Sequence, residues 1–181
     1  MEKKIAVLVG SLRKEAFSRK IANELIRLAP KTLKMEMVEI GNLPLYNEDL
    51  DVNSPKEWMN FRETIKNSDG VLFVSPEYNR TIPGGLKNAI DVGSRPPGKS
   101  VWKGKPAAVA TTSPGAQGGF GSNHNIRQAV VFLDVPMMQQ PEAYISKVHE
   151  LFMADGKTVN DKTENFLKDY MLAFEKWINH F

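Results

Sequence analysis

The sequence predicts a three-layer, doubly wound α/β sandwich built on a five-stranded parallel sheet. Short apolar runs with the length of buried strands alternate with stretches whose apolar residues recur at helical spacing. The connections between runs are long enough to be crossovers, which parallel pairing requires and hairpins do not.

Residues 4–9, KIAVLV, form a continuous apolar run ending at Gly10, as a strand buried on both faces does. Phe17, Ile21, Leu25 and Leu28 then mark one helix face, and Pro30 stops it. Residues 35–40 alternate as a second strand. S-P-K-E at 54–57 predicts a capping box with proline at the first helical position, ahead of a face of Trp58, Phe61 and Ile65. Residues 70–74, GVLFV, read as the third strand, 84–92 as a helix, and 107–112, AAVATT, as the fourth strand. Ile126, Ala129, Val130 and Leu133 predict another helix, and residues 136–145 are ambiguous, with room for a short fifth strand. Phe166, Tyr170, Phe174, Trp177 and Phe181 place an aromatic stripe on the last helix, expected to pack on the sheet.

Length and composition suit one domain over residues 1–181. The 24 Lys and Arg against 21 Asp and Glu are scattered, so nothing points to a nucleic-acid partner. No run approaches the roughly 18 apolar residues of a membrane helix, and the apolar run near the N-terminus is too short for a secretory signal core. The expected setting is cytoplasmic, with no membrane partner. Without cysteine there is no disulfide, thiolate nucleophile or Cys-bound zinc. His124, His149 and His180 lack metal-ligand spacing, so no metal is expected. Any redox chemistry must come from a bound cofactor.

Residues 93–100, GSRPPGKS, fit the phosphate-loop pattern G-x-x-x-x-G-K-[ST]. Their surroundings do not fit, because a phosphate loop follows a strand and opens a helix, whereas this segment follows a helix and leads to a strand. Pro96 and Pro97 also remove two N–H donors. The segment reads as a helix C-terminus capped by Gly93 and a stiffened connection.

Ligands of open α/β sheets sit beyond the carboxyl ends of the strands, and three loops there are unusual. Residues 10–18, GSLRKEAFS, offer Ser11, Arg13, Ser18 and free N–H groups at a helix start, which suit a phosphate monoester; plain capping is the alternative. With a single glycine this is not G-x-G-x-x-G, so a dinucleotide pyrophosphate is disfavoured. Residues 75–79, SPEYN, place Pro76, Glu77, Tyr78 and Asn79 where they can border a flat heterocycle; the alternative makes Glu77 a helix cap and Tyr78 a packed surface aromatic. Residues 111–123, TTSPGAQGGFGSN, carry four glycines, which let backbone approach a ring closely; loop mobility is the alternative.

At these loops the chain resembles the NADPH-dependent FMN reductase family, of flavodoxin-like fold, in its quinone and chromate reductase branch. The resemblance lies in G-S-L-R at 10–13, S-P-E-Y-N at 75–79, I-P-G-G-L-K-N-A-I-D at 82–91 and the glycine-bearing loop at 113–119. It implies an FMN cofactor with NADPH or NADH as donor. By position, Ser11, Arg13 and Ser18 would face the phosphate, Pro76, Glu77, Tyr78 and Asn79 the ring and ribityl region, and Ser113, Pro114, Gly115, Gln117 and Gly118 the ring's other edge. The family's first loop usually reads S-x-R-x-x-S-x-N, and Ala16 and Ser18 depart from it. The resemblance further implies ping-pong hydride transfer from NAD(P)H to flavin N5 and on to a quinone, flavin, azo, nitro or chromate-type acceptor, with no catalytic side chain. It implies a homodimer or homotetramer joined at the helix after P-G-G-L-K-N, with Arg95 at the subunit boundary or the rim of the nicotinamide site. The rival reading is an FMN-binding electron carrier or regulatory module without turnover of its own.

Overall fold

The structure, a computed structural model, describes residues 2–181. Five parallel strands, β1 (Lys3–Val9), β2 (Leu33–Met37), β3 (Gly70–Pro76), β4 (Ala107–Thr112) and β5 (Ala143–Ile145), lie in the order β2-β1-β3-β4-β5. The helices between and after them are α1 (Phe17–Leu28), α2 (Lys56–Lys66), α3 (Gly84–Gly93), α4 (Phe120–Val131) and α5 (Asp161–Ile178). The pleat of β1 shows how the layers arise, since successive side chains point to opposite faces. Ile5, Val7 and Val9 pack with Ile21 and Leu25 of α1 and Phe174 of α5, while Ala6 and Leu8 pack with Trp58 of α2, Leu86 of α3 and Ile126 of α4. The result is the flavodoxin-like three-layer sandwich. The chain leaves β1 outward to β2 and returns to β3 on the other side of β1, so strand order reverses between β1 and β3.

Several elements differ from expectation for local physical reasons. β2 pairs with β1 from Lys3↔Leu33 to Val7↔Met37, so it starts earlier than residue 35 and ends before Ile40, which turns into the core instead. The capping box does not form. Pro55 is the N-cap of α2 with no side-chain cap, because Arg62 Nη1 donates to Ser54 Oγ at 2.9 Å and draws that hydroxyl away. The fifth strand is three residues long and forms one edge of the sheet. α4 starts at Phe120, well before the periodic stretch at Ile126, so the third loop ends at Gly119. On α5 the buried face is Leu167, Tyr170, Met171, Phe174 and Ile178, while Phe166 is exposed; the helix ends at Ile178, so Phe181, also exposed, lies beyond it.

Gly93 is the last residue of α3, with Ser94 as C-cap, so its role is not left-handed capping. It is buried against Trp102, whose indole Nε1 donates to Ile90 O at 2.8 Å. A Cβ on Gly93 would lie 2.5 Å from that Nε1. Glycine is required here by close approach of a rigid ring. Gly93→Ala is expected to cost about 1–3 kcal/mol by overpacking, whereas Gly84→Ala, where a Cβ meets nothing within 4 Å, is neutral or slightly stabilising. Chemical denaturation of both variants checks the contrast.

Candidate functional site

Because every strand of the sheet runs the same way, the loops after β1, β3 and β4 leave one edge of the sheet side by side. They enclose a crevice of about 180 Å³ bordered by Ser11, Arg13, Ser18, Tyr78, Ser113 and Pro114. Gly10 lets the first loop meet the third strand, since a Cβ there would stand 2.5 Å from Ser75 Oγ.

The first loop presents an open helix start. Ala16 is the N-cap of α1 and has no side chain to cap with, and the helical ladder begins only at Lys20 N–H, which donates to Ala16 O at 3.1 Å. The N–H groups of the first turn therefore point outward with partial positive charge. Ser18 is 1% exposed, and its Oγ is buried without any hydrogen-bond partner. A buried hydroxyl without a partner costs roughly 1–3 kcal/mol, and an acceptor reaching this helix start would remove that cost. Ser11 Oγ lies 3.2 Å from Tyr78 Oη and accepts weakly from Arg13 N–H at 3.4 Å, which joins the first loop to the second. Arg13 is exposed at the mouth.

The second loop is a tight hairpin turn. Tyr78 N–H donates to Thr81 O at 3.1 Å and Thr81 N–H returns to Tyr78 O at 3.0 Å, with Asn79 and Arg80 at φ 50° and 65°, a type I′ geometry. Pro76 completes β3 and borders the crevice. Glu77 does cap a helix, but α4 rather than α3: its Oε2 accepts from Ser122 N–H at 3.2 Å, while Arg80 sits 3.5 Å from Oε1. Gly119, the N-cap of α4, is left-handed at φ 82° and has no side chain to offer, so the carboxylate comes from the neighbouring loop.

The third loop splits by role. Ser113 N–H donates to Ile145 O at 3.0 Å and Ser113 Oγ accepts from Gly115 N–H at 3.0 Å, which fixes Ser113, Pro114 and Gly115 at the edge of the sheet. Gln117 accepts from Arg80 of the second loop. Gly118 turns away from the crevice and packs on β5, where a Cβ would lie 2.5 Å from the Tyr144 carbonyl carbon. Asn123 lies inside α4, fully buried. Ala16, noted in the sequence only as a departure from the family's loop pattern, and Phe17 and Thr112, not read there as site residues, also line the crevice. Phe17 was readable only as the first member of the α1 apolar face; its place at the open end of that series is what exposes it to the crevice. The segment at 94–100 lies elsewhere, lining a roomier cavity of about 690 Å³ with the ends of α3 and α4, away from the strand ends. The described residues contain no group of metal-ligating side chains and no helix long and apolar enough to cross a membrane.

Residues 3–150 match the family model described as NADPH-dependent FMN reductase. The chain belongs to the NADPH-dependent FMN reductase family. Within it, the sequence is 58% identical over 175 residues to a quinone reductase of Pseudomonas putida, covering 96% of this chain and 94% of that protein. It is 43% identical over 178 residues to a 2-hydroxy-1,4-benzoquinone reductase of a Burkholderia species, with 98% and 97% covered. The solved structure of FerB, a flavoenzyme NAD(P)H:(acceptor) oxidoreductase from Paracoccus denitrificans, superposes with a TM-score of 0.92 at 42% identity, covering 98% of each chain. As a family member the protein is an oxidoreductase that uses FMN as cofactor and NAD(P)H as donor. The open first turn of α1 and the partnerless Ser18 hydroxyl fit a phosphate-bearing cofactor.

The Glu77 cap makes a specific demand on this reductase. Glu77→Ala is expected to lower stability by about 1 kcal/mol through loss of the α4 cap, and to speed amide hydrogen exchange at Ser122 and its neighbours before the rest of the helix. Denaturant unfolding with residue-resolved exchange checks both.

Proposed function

We propose that this FMN reductase works as a quinone reductase whose cofactor lies in the three-loop crevice. Ser11, Arg13, Ser18 and the first-turn N–H groups of α1 hold the phosphate; Pro76, Glu77, Tyr78 and Asn79 border the ring and ribityl chain; Ser113, Pro114, Gly115, Gln117 and Gly118 form the opposite edge, Gly118 by shaping the loop. The observation that carries this reading is the buried, partnerless Ser18 hydroxyl beside the uncapped turn of α1. FMN supplies the two-electron chemistry, hydride uptake from NAD(P)H and its transfer onward. The protein's part is to bind, orient and exclude water: Glu77 and Arg80 tie the second and third loops together, and backbone N–H groups at the ring edge favour negative charge there.

Donor and acceptor share one crevice, so they bind in turn, in a ping-pong sequence. Quinones are the foremost acceptors, supported by the relatives named above; free flavins, azo and nitro compounds and chromate are the wider set. A homodimer or homotetramer with α3 at the contact accords with the strongly exposed Val131 and Phe132 at the end of neighbouring α4. A cytoplasmic setting belongs to the same reading, because NAD(P)H is supplied there.

Purified protein is expected to oxidise NAD(P)H with a quinone and no protein partner; a chain that binds FMN yet shows no such turnover would be the electron carrier instead. Ser18→Ala is expected to weaken FMN binding about 10-fold or more, the weight of one hydrogen bond to a charged group, while leaving the apoprotein as stable or more so. Fluorescence titration with FMN beside thermal melting of the apoprotein reads both.

A further inference from the structure

Phe120 is the first residue of α4, 51% exposed, and belongs to neither face of the core. Its ring centroid stands 4.1 Å from that of His124 and 5.5 Å from that of Tyr144 on β5, and the His124 and Tyr144 rings lie nearly parallel, 14° apart in plane. Tyr144 Oη is 3.1 Å from His124 Nε2. Three rings thus meet at the protein surface without serving the core.

Their position is held by the site itself. Gly119 presses against Thr111, with a Cβ there only 2.8 Å from Thr111 Cβ, and Glu77 caps the turn that carries Phe120. Gly121, the next residue, lies so close to the second loop that a Cβ would be 2.4 Å from Arg80 O and 3.0 Å from Glu77 Oε2. The rings do not line the crevice themselves; they stand beside it, where the third loop becomes α4 and the glycines flanking Phe120 press on Thr112 and Glu77, which do. Burial first, and then a hydrogen bond to the Glu142 carboxylate and its charge, push the Tyr144 hydroxyl up to about 12. Flat apolar faces beside a hydrogen-bond donor match a quinone, which is a flat ring carrying carbonyl acceptors. A second copy of the chain fits less well, since a stable protein contact needs about 800 Å² per partner and three rings offer a fraction of that.

We propose that Phe120, His124 and Tyr144 form the surface on which the ring of a quinone acceptor rests at the mouth of the crevice. This rests on the quinone-reductase reading above. Phe120 and His124 supply the stacking faces, and the hydrogen-bonded Tyr144–His124 pair offers the donor to a quinone carbonyl.

The test uses the oxidised holoenzyme without NAD(P)H, titrated with 1,4-naphthoquinone and followed through the histidine ring resonances. The His124 signals are expected to shift while those of His149 and His180 stay in place. In turnover, Phe120→Ala is expected to raise KM for naphthoquinone by about 2- to 10-fold, the weight of an aromatic stacking contact, with the rate toward ferricyanide and the sedimentation coefficient unchanged. Unmoved His124 resonances, or an unchanged naphthoquinone KM in a Phe120→Ala enzyme whose parent turns the quinone over, would overturn the proposal. A changed sedimentation coefficient with unchanged KM would assign the rings to a second copy and overturn it as well. A parent enzyme that does not reduce naphthoquinone at all would sink the quinone-reductase reading, and this one with it.

Discussion

The neighbouring placement of β1 and β3 is the constraint on which the rest of the site depends. With β2 sent outward and β3 brought back along the free side of β1, the loop after β1 and the loop after β3 leave the same edge in contact. Gly10 makes the contact close enough for Ser75 to sit against it, and Ser11 and Tyr78 then meet through their hydroxyls. β4 adds the third loop on the far side of β3, and Glu77 and Arg80 fasten it there through Ser122 and Gln117. The crevice is thus a product of strand order, and its side chains are joined loop to loop before any ligand is considered.

Two polar arrangements within it differ in what they complete. The start of α4 is satisfied inside the protein, by a carboxylate borrowed from the second loop. The start of α1 is left open: its cap position is an alanine and the hydroxyl on its first turn is buried without a partner. Both helix starts carry the same partial positive charge, and only that of α4 is met by a carboxylate of the protein. A phosphate at α1 would satisfy what the fold leaves unsatisfied there, and the loss of a capping side chain at Ala16 removes a competitor for the same N–H groups.

Much of this was legible in the residues, and what was not has physical causes. Strands buried on both faces, such as β1, β3 and β4, announce themselves as unbroken apolar runs, and α1 by its four-residue spacing. β5 was ambiguous because three residues are too few to show a period. The start of α4 was hidden because Phe120, Gly121 and Ser122 have no apolar periodicity; a left-handed glycine and a carboxylate from another loop set it. The S-P-K-E box failed because its serine was worth more to Arg62, a partner eight residues on that no local pattern reveals. The three loops were visible as loops rich in hydroxyl, proline and glycine, but the division of labour inside them was not. Gly118 serves packing on β5, and the Phe120, His124 and Tyr144 rings come together only when α4 and β5 are folded side by side.

A phosphate site at the open start of α1 must distinguish FMN from the same molecule without its phosphate. Calorimetric titration of the apoprotein with FMN and with riboflavin, which has the same ring and ribityl chain but no phosphate, isolates that contribution. FMN is expected to bind about 100-fold tighter or more, as several charge-assisted hydrogen bonds at a helix N-terminus require. Equal affinities for the two would contradict it.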